Sequence, residues 1–243
     1  MTDRLLDAGG FEVVVKERPA RTTMEITVDR DGAVFVAVPT GTPDDPVQDF
    51  LDRKQDWIHR KLIGKADFLP VLPPKEIVDG EGFAYLGRSY RLLLVDDQDA
   101  PVKLTHGRLR LRRNEPDSAA ALKAWYRATG TTWLRRRLRP WSDRTGTEAI
   151  LAVRDLGYRW GSHRAGRLNI HWATLQLPPA LVDYVLVHEL VHALRPIHDD
   201  PFWRNVERVM PDYAERQRRL AESGAGVWLG DIASSDRSRR ACG

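Results

Sequence analysis

The sequence predicts an α+β fold, with a β-rich N-terminal region that carries one long helix and a helix-rich second half that includes a small sheet. Three observations support this class. Short β-branched and aromatic segments dominate the first hundred residues. Apolar residues recur at helical spacing over 45–65, and three consecutive helical segments follow residue 179. We therefore predict a β-rich region over 1–115, a second domain over 116–222 and a disordered tail over 223–243.

The N-terminal region contains seven predicted strands around one predicted helix. The strands are 11–16, 24–28, 33–38, 82–85, 90–95, 102–104 and 109–111. Asp31-Gly32 favours a tight hairpin turn between the second and third of them. The helix is predicted over 45–65, and Pro70, Pro73 and Pro74 predict a stiff linker after it.

The second half begins with a predicted helix and continues with strands and three further helices. Asp117 or Ser118 is a suitable N-cap for a helix that we expect to end at Arg139. Strands are predicted at 150–154 and 168–172 around a loop over 157–166, followed by helices at 179–194, 200–210 and 212–222. The arginine-rich run 133–139, with Trp141 nearby, is typical either of a phosphate contact or of a solvated helix face.

Composition excludes several classes of protein. No segment approaches the roughly 18 consecutive apolar residues of a membrane span, and the first residues lack the apolar core of a signal peptide. Cys242 is the only cysteine, which excludes internal disulfides and cysteine-ligated metals. The net charge is +4, and most basic residues are arginines, so a nucleic-acid partner must be considered. We expect a soluble cytoplasmic protein without a membrane partner.

The most informative segment is His188-Glu189-Leu190-Val191-His192. Two histidines at i and i+4 lie on one face of a helix, so both imidazoles can reach one metal ion. Glu189 stands beside the first of them, within reach of a water on that metal, which is the arrangement of a metal-assisted hydrolase. Pro178-Pro179 and the apolar residues that follow predict a buried helix, which would place the histidines in a protected cleft.

A third ligand is expected after this helix. Pro196 ends the helix, and the bend lets His198 return to the metal, which completes three histidines and one open position at a catalytic zinc ion. Glu207 or Glu215 is an alternative third ligand, because two histidines and a glutamate also form such sites. Asp199 and Asp200 are better suited to capping the helix that begins near Pro201.

At this point the chain resembles the YgjP-like family of zinc metallopeptidases, a zincin-like family with wider kinship to the SprT and WLM-type proteases. The resemblance rests on Trp160-Gly161-Ser162, Pro178, Tyr184-Val185, the segment 188–192, His198 and Phe202-Trp203, with softer similarity in the first half. It implies a zincin-like metal domain over 116–222, His188, His192 and His198 as zinc ligands, and Glu189 as the catalytic base.

His163 departs from the family pattern, which has cysteine after Trp-Gly-Ser. His163 could donate a hydrogen bond to a developing oxyanion or simply replace a packed thiol. Arg164, Arg195 and Tyr184 are rival donors for that oxyanion. We expect His171 to face solvent or the cleft rim, away from the metal.

These features lead to one main functional hypothesis and two alternatives. The main one is a zinc-dependent peptidase acting on a peptide or protein, with strand 168–172 as an edge that pairs with the extended substrate. The first alternative is a metal-dependent nucleotide hydrolase that cleaves phosphoanhydrides, which the arginine surplus would suit. The second is a nucleic-acid-associated protease, although the basic runs are scattered rather than gathered in one stripe.

Overall fold

The computed structural model describes residues 4–8, 12–28, 33–66, 74–157, 159–196 and 198–233, with side chains of the long N-terminal helix described only in part. Its contacts divide the chain into two units, Met1–Pro70 and Val71–Gly243. The division predicted near residue 115 therefore falls inside the second unit. The reason is that strands before it and helices after it bury their apolar side chains in one shared core.

The first unit pairs a four-stranded sheet with a helix. The elements are β1 (Arg4–Asp7), β2 (Glu12–Arg18), β3 (Glu25–Val28), β4 (Val34–Pro39) and α1 (Asp44–Ala66). The strand order is β1-β2-β4-β3, with β2 and β4 parallel. Alternate residues of β4 (Val34, Val36 and Val38) are buried, as expected for a strand with one face against a core. The predicted turn 29–32 and the prolines Pro70 and Pro73 lie outside the described residues.

The second unit begins with a sheet of the same topology. Its strands are β5 (Gly82–Tyr85), β6 (Arg88–Val95), β7 (Val102–Thr105) and β8 (Arg108–Arg112), in the order β5-β6-β8-β7 with β6 and β8 parallel. The first of its two-residue turns, Leu86-Gly87, has positive φ at both positions, which suits the right-handed twist of a hairpin. This turn packs on the segment before the third helix, since Leu86 N–H donates to Leu175 O over 2.7 Å.

Helix α2 (Ser118–Thr145) follows, and it is longer than predicted. Asp117 caps it by accepting a hydrogen bond from Ala120 N–H over 2.9 Å, as predicted. The helix continues through Pro140 and ends at Gly146, whose φ of 67° is left-handed. The Thr145 hydroxyl, which donates to carbonyls of the last turn, helps to hold this extension.

A three-stranded sheet and three helices complete the second unit. Their bounds are β9 (Ile150–Arg154), β10 (Gly161–Arg164), β11 (Arg167–His171), α3 (Pro179–Val191), α4 (Asp200–Val209) and α5 (Tyr213–Gly224), with a short 3-10 turn at Trp172–Gln176. The strand order is β10-β11-β9. Strand β11 is therefore central, and the prediction that strand 168–172 forms an edge is wrong. The edges are β9 and β10. Strand β10, which was predicted as loop, lies against α3.

The segment after α5 is packed rather than disordered as far as residue 233. Val227 and Trp228 belong to the core, and the side chain of Gln176 exchanges two hydrogen bonds with the backbone of Trp228 at 2.7 and 3.1 Å. Ile232 forms a bridge with Lys75. The prediction of a disordered tail is thus wrong for 223–233, because the indole of Trp228 contributes a large apolar area to the core. Residues 234–243 lie outside the described part.

None of the described helices is long and apolar enough to cross a bilayer.

Candidate metal centre

Helix α3 positions two histidines and a glutamate at its C-terminal end. Pro179 stands at the first turn, where its missing N–H is not needed. Leu181, Val182, Leu186 and Val187 are completely buried, which confirms that this helix is a core element. His192 caps the helix with φ −62° and ψ −20°, still helical values, so it keeps the i, i+4 relation to His188.

The three predicted histidine ligands converge. The Nε2 atom of His188 lies 3.2 Å from Nε2 of His192 and 2.9 Å from Nε2 of His198. One ligand atom from each of the three lies within 4.8 Å of the others. Because histidine nitrogens bind zinc at about 2.0–2.1 Å, Nε2 atoms at this spacing fit a single ion. The spacing of these three nitrogens is therefore compatible with a metal centre.

The protonation of the histidines also suits a metal. Burial, reinforced by the charges of His192 and His198, lowers the pKa of His188 to about 3. Burial likewise lowers the pKa of His192. Its Nδ1 lies 3.2 Å from Arg195 O, so Nδ1–H donates to that carbonyl and Nε2 keeps its lone pair. Neutral imidazoles with free Nε2 lone pairs are the form that binds metal.

Two aromatic residues support the histidines, and sequence reasoning assigned them no role. Phe202 is completely buried, and its ring centroid lies 5.0, 4.7 and 4.7 Å from those of His188, His192 and His198. Trp203 stacks on His198 at 5.7 Å with an interplanar angle of 24°. Tyr213 also stacks on Trp203, at 5.5 Å. An aromatic pair four and five residues after a ligand is the signal that could have identified them.

Glu189 lies beside the histidines, with its side chain against β10. It is 8% exposed, and burial raises its pKa to about 7, although the charge of Arg159 and a hydrogen bond from the backbone N–H of His163 act in the opposite direction. A β-carbon at Gly161 would lie 2.6 Å from Cγ of Glu189. Glycine at this position therefore allows the carboxyl group to lie on the edge strand.

The alternative third ligands are not part of this cluster. Glu207 and Glu215 are exposed, and Glu215 forms an ion pair with Arg218 at 2.7 Å. Asp199 caps α4 as predicted, accepting a hydrogen bond from Phe202 N–H over 3.0 Å. Asp200 lies in the first turn of α4 rather than at its cap. Among the described residues, the histidine group is the one with metal-binding geometry.

The proposed oxyanion donors differ in where they lie. His163 lies on β10, its Nε2 is buried without a hydrogen-bond partner in the described structure, and burial lowers its pKa. The ring of Tyr184 lies 5.9 Å from that of His188, and burial raises the pKa of its hydroxyl. Arg164 is exposed at the end of β10, whereas Arg195 is paired with Asp199.

His171 does not face solvent, contrary to expectation. Its side chain is buried, and Nδ1 accepts a hydrogen bond from Ala173 N–H over 3.0 Å. Its Nε2 lies 3.3 Å from the carboxylate of Asp155. His171 is thus a core residue that starts the 3-10 turn, and it lies outside the described histidine cluster.

A buried carboxylate ties α3 to the neighbouring helices. Asp183 accepts two hydrogen bonds from Arg137 of α2, at 2.7 and 2.6 Å, and one from Trp141 Nε1 at 3.0 Å. Arg216 of α5 lies 4.0 Å away. Arg135, Arg136, Arg137 and Arg139 of the arginine-rich run are all exposed, and Arg137 is the one whose guanidinium reaches across to α3 through Asp183.

A cavity of about 390 Å³ opens on the metal-binding helix. It lies between α3, α5 and the start of β10, and His188 and Glu189 form part of its wall. The remaining wall is mostly apolar. The arrangement thus combines a three-histidine cluster, a buried carboxyl group and an adjoining cavity.

Comparison with known proteins identifies the family of the chain. The family model of the YgjP-like metallopeptidase domain matches residues 22–223. Among solved structures, that of the metallopeptidase zymogen of Pyrococcus abyssi abylysin is similar, with 28% identity over 34% of this chain and 87% of that chain and a TM-score of 0.32. No curated protein matches significantly. Because the family match spans most of the sequence, the chain belongs to the YgjP-like metallopeptidase family, a family of metal-dependent hydrolases.

Proposed function

We propose that the chain is a zinc-dependent peptidase in which His188, His192 and His198 hold the ion and Glu189 is the general base. The observation that carries the proposal is the convergence of three Nε2 atoms, two of the distances being 3.2 and 2.9 Å, beside a buried carboxyl group. A bound zinc ion would act as a Lewis acid on the scissile carbonyl and lower the pKa of its water toward about 7.

Glu189 carries the proton transfers. Its carboxylate accepts a proton from the attacking water and delivers it to the leaving amine nitrogen. The backbone N–H of His163 and the charge of Arg159 favour the ionised carboxylate against the effect of burial. These opposing effects leave the pKa of Glu189 at about 7, which is the range in which a general base works at neutral pH. Tyr184 and the side chain of His163 are the candidate donors to the developing oxyanion.

Strand β10 is the proposed platform for the substrate backbone. It pairs with β11 on one side only among the described strands, and it is in contact with α3. An extended peptide added to a free sheet edge gains main-chain hydrogen bonds and points alternate side chains to opposite faces. The strand proposed to pair with the substrate is therefore 161–164, in place of the strand 168–172 that the sequence suggested.

Metal analysis and substrate assays test the proposal together. We expect about one zinc per wild-type chain, less in His198→Ala, and cleavage of unfolded protein substrates that is lost in Glu189→Gln. Nucleoside triphosphates are assayed in parallel as the second candidate class of substrate. Release of pyrophosphate without any peptide cleavage would contradict the peptidase assignment and favour a nucleotide hydrolase with the same metal centre.

A further inference from the structure

We infer that the cavity beside Glu189 is a specificity pocket that accepts a large apolar side chain of a substrate residue flanking the scissile bond. The inference rests on the proposed peptidase function and names the substrate class for that site. Position is the first argument, since His188 and Glu189 themselves contribute to the cavity wall. A group bound there lies next to the groups that carry the chemistry.

The residues that line the cavity determine which kind of substrate side chain it binds. Tyr184, Val185 and Leu220, which line the cavity, are 4%, 3% and 8% exposed. The half-buried indole of Trp160 forms a further wall. Burial of apolar area against such a surface is favourable, whereas a charged side chain would lose its hydration against this apolar part of the wall. The volume of about 390 Å³ accommodates a leucine or phenylalanine side chain.

The rim adds a charge preference. Arg159 and Gln217 are exposed residues at the edge of the cavity, and the charge of Arg159 reaches Glu189. A basic substrate side chain that approaches the cavity therefore meets a like charge, which disfavours it. The expected substrate class is an extended segment with a bulky apolar residue beside the cleaved bond and without lysine or arginine at that position.

Pairing with strand β10 would determine which substrate residues face the cavity. Gly161 of β10 also contributes to the cavity wall, so a peptide paired with this edge runs past the opening. Because side chains alternate along an extended chain, one of every two substrate residues points toward the cavity. The backbone edge and the apolar pocket thus recognise one substrate at the same time.

Ala221 offers a direct test, because it is an exposed helical residue at the cavity rim. Ala221→Phe partly fills the pocket. Ala214→Phe is the matched control: it places the same ring two turns earlier on α5, at an exposed position outside the cavity wall. Zinc-loaded proteins are incubated with a peptide mixture varied at one position, and mass spectrometry records the cleaved bonds.

The expected wild-type profile favours leucine and phenylalanine over alanine by at least about tenfold, as hydrophobic pockets do, and disfavours lysine. Ala221→Phe should lose this preference while still cleaving beside alanine, and Ala214→Phe should behave as wild type. A flat wild-type profile, or an unchanged profile in Ala221→Phe, overturns the inference but leaves the peptidase assignment standing.

If wild-type protein cleaves no peptide, the proposed function fails, and retention of the same peptides in equilibrium dialysis becomes the readout. Preferential retention of leucine and phenylalanine peptides that is lost in Ala221→Phe would still support the pocket. Equal retention of all peptides would overturn it.

Discussion

The carboxyl group of Glu189 lies directly on the backbone of Gly161. A β-carbon on Gly161 would approach Cγ of Glu189 to 2.6 Å and its Cδ and Oε1 to 2.9 Å. These distances are far below van der Waals contact, so a side chain at position 161 displaces the carboxyl group. The glycine of the edge strand therefore positions the residue proposed as general base on the neighbouring helix.

Gly161→Ala should reduce catalysis without removing the metal. A displacement of about 1 Å in a reacting group costs about 100-fold in rate, so we expect kcat to fall by about 10- to 100-fold. Zinc affinity should stay within about threefold, because Gly161 is not a member of the histidine cluster. Gly226→Ala is the control, since its added β-carbon meets only Ser223 O at 3.6 Å. Wild-type kcat in Gly161→Ala would contradict the positioning role.

Glu189→Gln tests the base directly. Loss of general base catalysis typically costs about 100- to 10,000-fold in rate, and we expect a fall in kcat within that range. Zinc content should remain at the wild-type level, because Glu189 is not a member of the histidine cluster. Hydrolysis at the wild-type rate in a zinc-loaded Glu189→Gln protein would exclude Glu189 as the base.

Trp203 should strengthen metal binding by orienting His198. Its ring stacks on the exposed imidazole at 5.7 Å, and loss of groups that orient a ligand typically weakens metal affinity by about 10- to 100-fold. We expect the zinc Kd, measured by competition with a chelator, to rise about tenfold in Trp203→Leu and to recover in Trp203→Phe. His198→Ala should lose more affinity. Equal zinc in His198→Ala and wild type would contradict the assignment of His198 as the third ligand.

Arg137→Ala should destabilise the second unit. It leaves the carboxylate of Asp183, whose side chain is 3% exposed, without its bidentate partner, although the side chain of Arg137 is itself 44% exposed and its charge is screened by solvent. We expect a loss of about 1–3 kcal/mol, the cost of a buried acceptor that loses a hydrogen-bond donor, because Trp141 still donates to Asp183. Arg136→Ala, at an exposed neighbouring position, should change the free energy of unfolding by less than about 0.5 kcal/mol. Equal stability of the two variants in denaturant titrations would refute this role.

Glu81 should contribute to acid unfolding. Burial alone would raise its pKa, but hydrogen bonds from Lys75 and from the backbone of Gly82 and Glu76 outweigh that effect and lower it from 4.5. A carboxyl group with a lowered pKa stabilises the fold above its unfolded pKa and loses that contribution as the pH falls through its folded pKa.

The free energy of unfolding, measured from pH 7 downward, should therefore decrease below about pH 4.5. Glu81→Gln should be less stable at pH 7 and show a shallower decrease over the acidic range. A variant curve parallel to that of the wild type would rule out this contribution.

Most secondary structure could be predicted from local patterns. The structure confirms the helix predicted from the proline at the start of α3 and from the i, i+4 spacing of its histidines. It also confirms the strand predicted from the alternating apolar residues of β4. The strand 161–164 was missed because Gly-Ser-His-Arg has no apolar alternation and is shaped by pairing with β11. The packed segment 225–233 was missed because a single tryptophan after a polar stretch has no periodicity.

The sequence by itself determined the α+β class and the proximity of His188, His192 and His198, because helical spacing and a proline-induced bend are local properties of the chain. The roles of these histidines as ligands and of Glu189 as base are proposals. Only the tertiary structure decided the division of units, the edge position of β10, the contact of Gly161 with Glu189, the aromatic support of the histidines and the cavity between α3 and α5. These features arise where residues distant in sequence meet, and their contacts depend on how sheets and helices pack rather than on any local pattern.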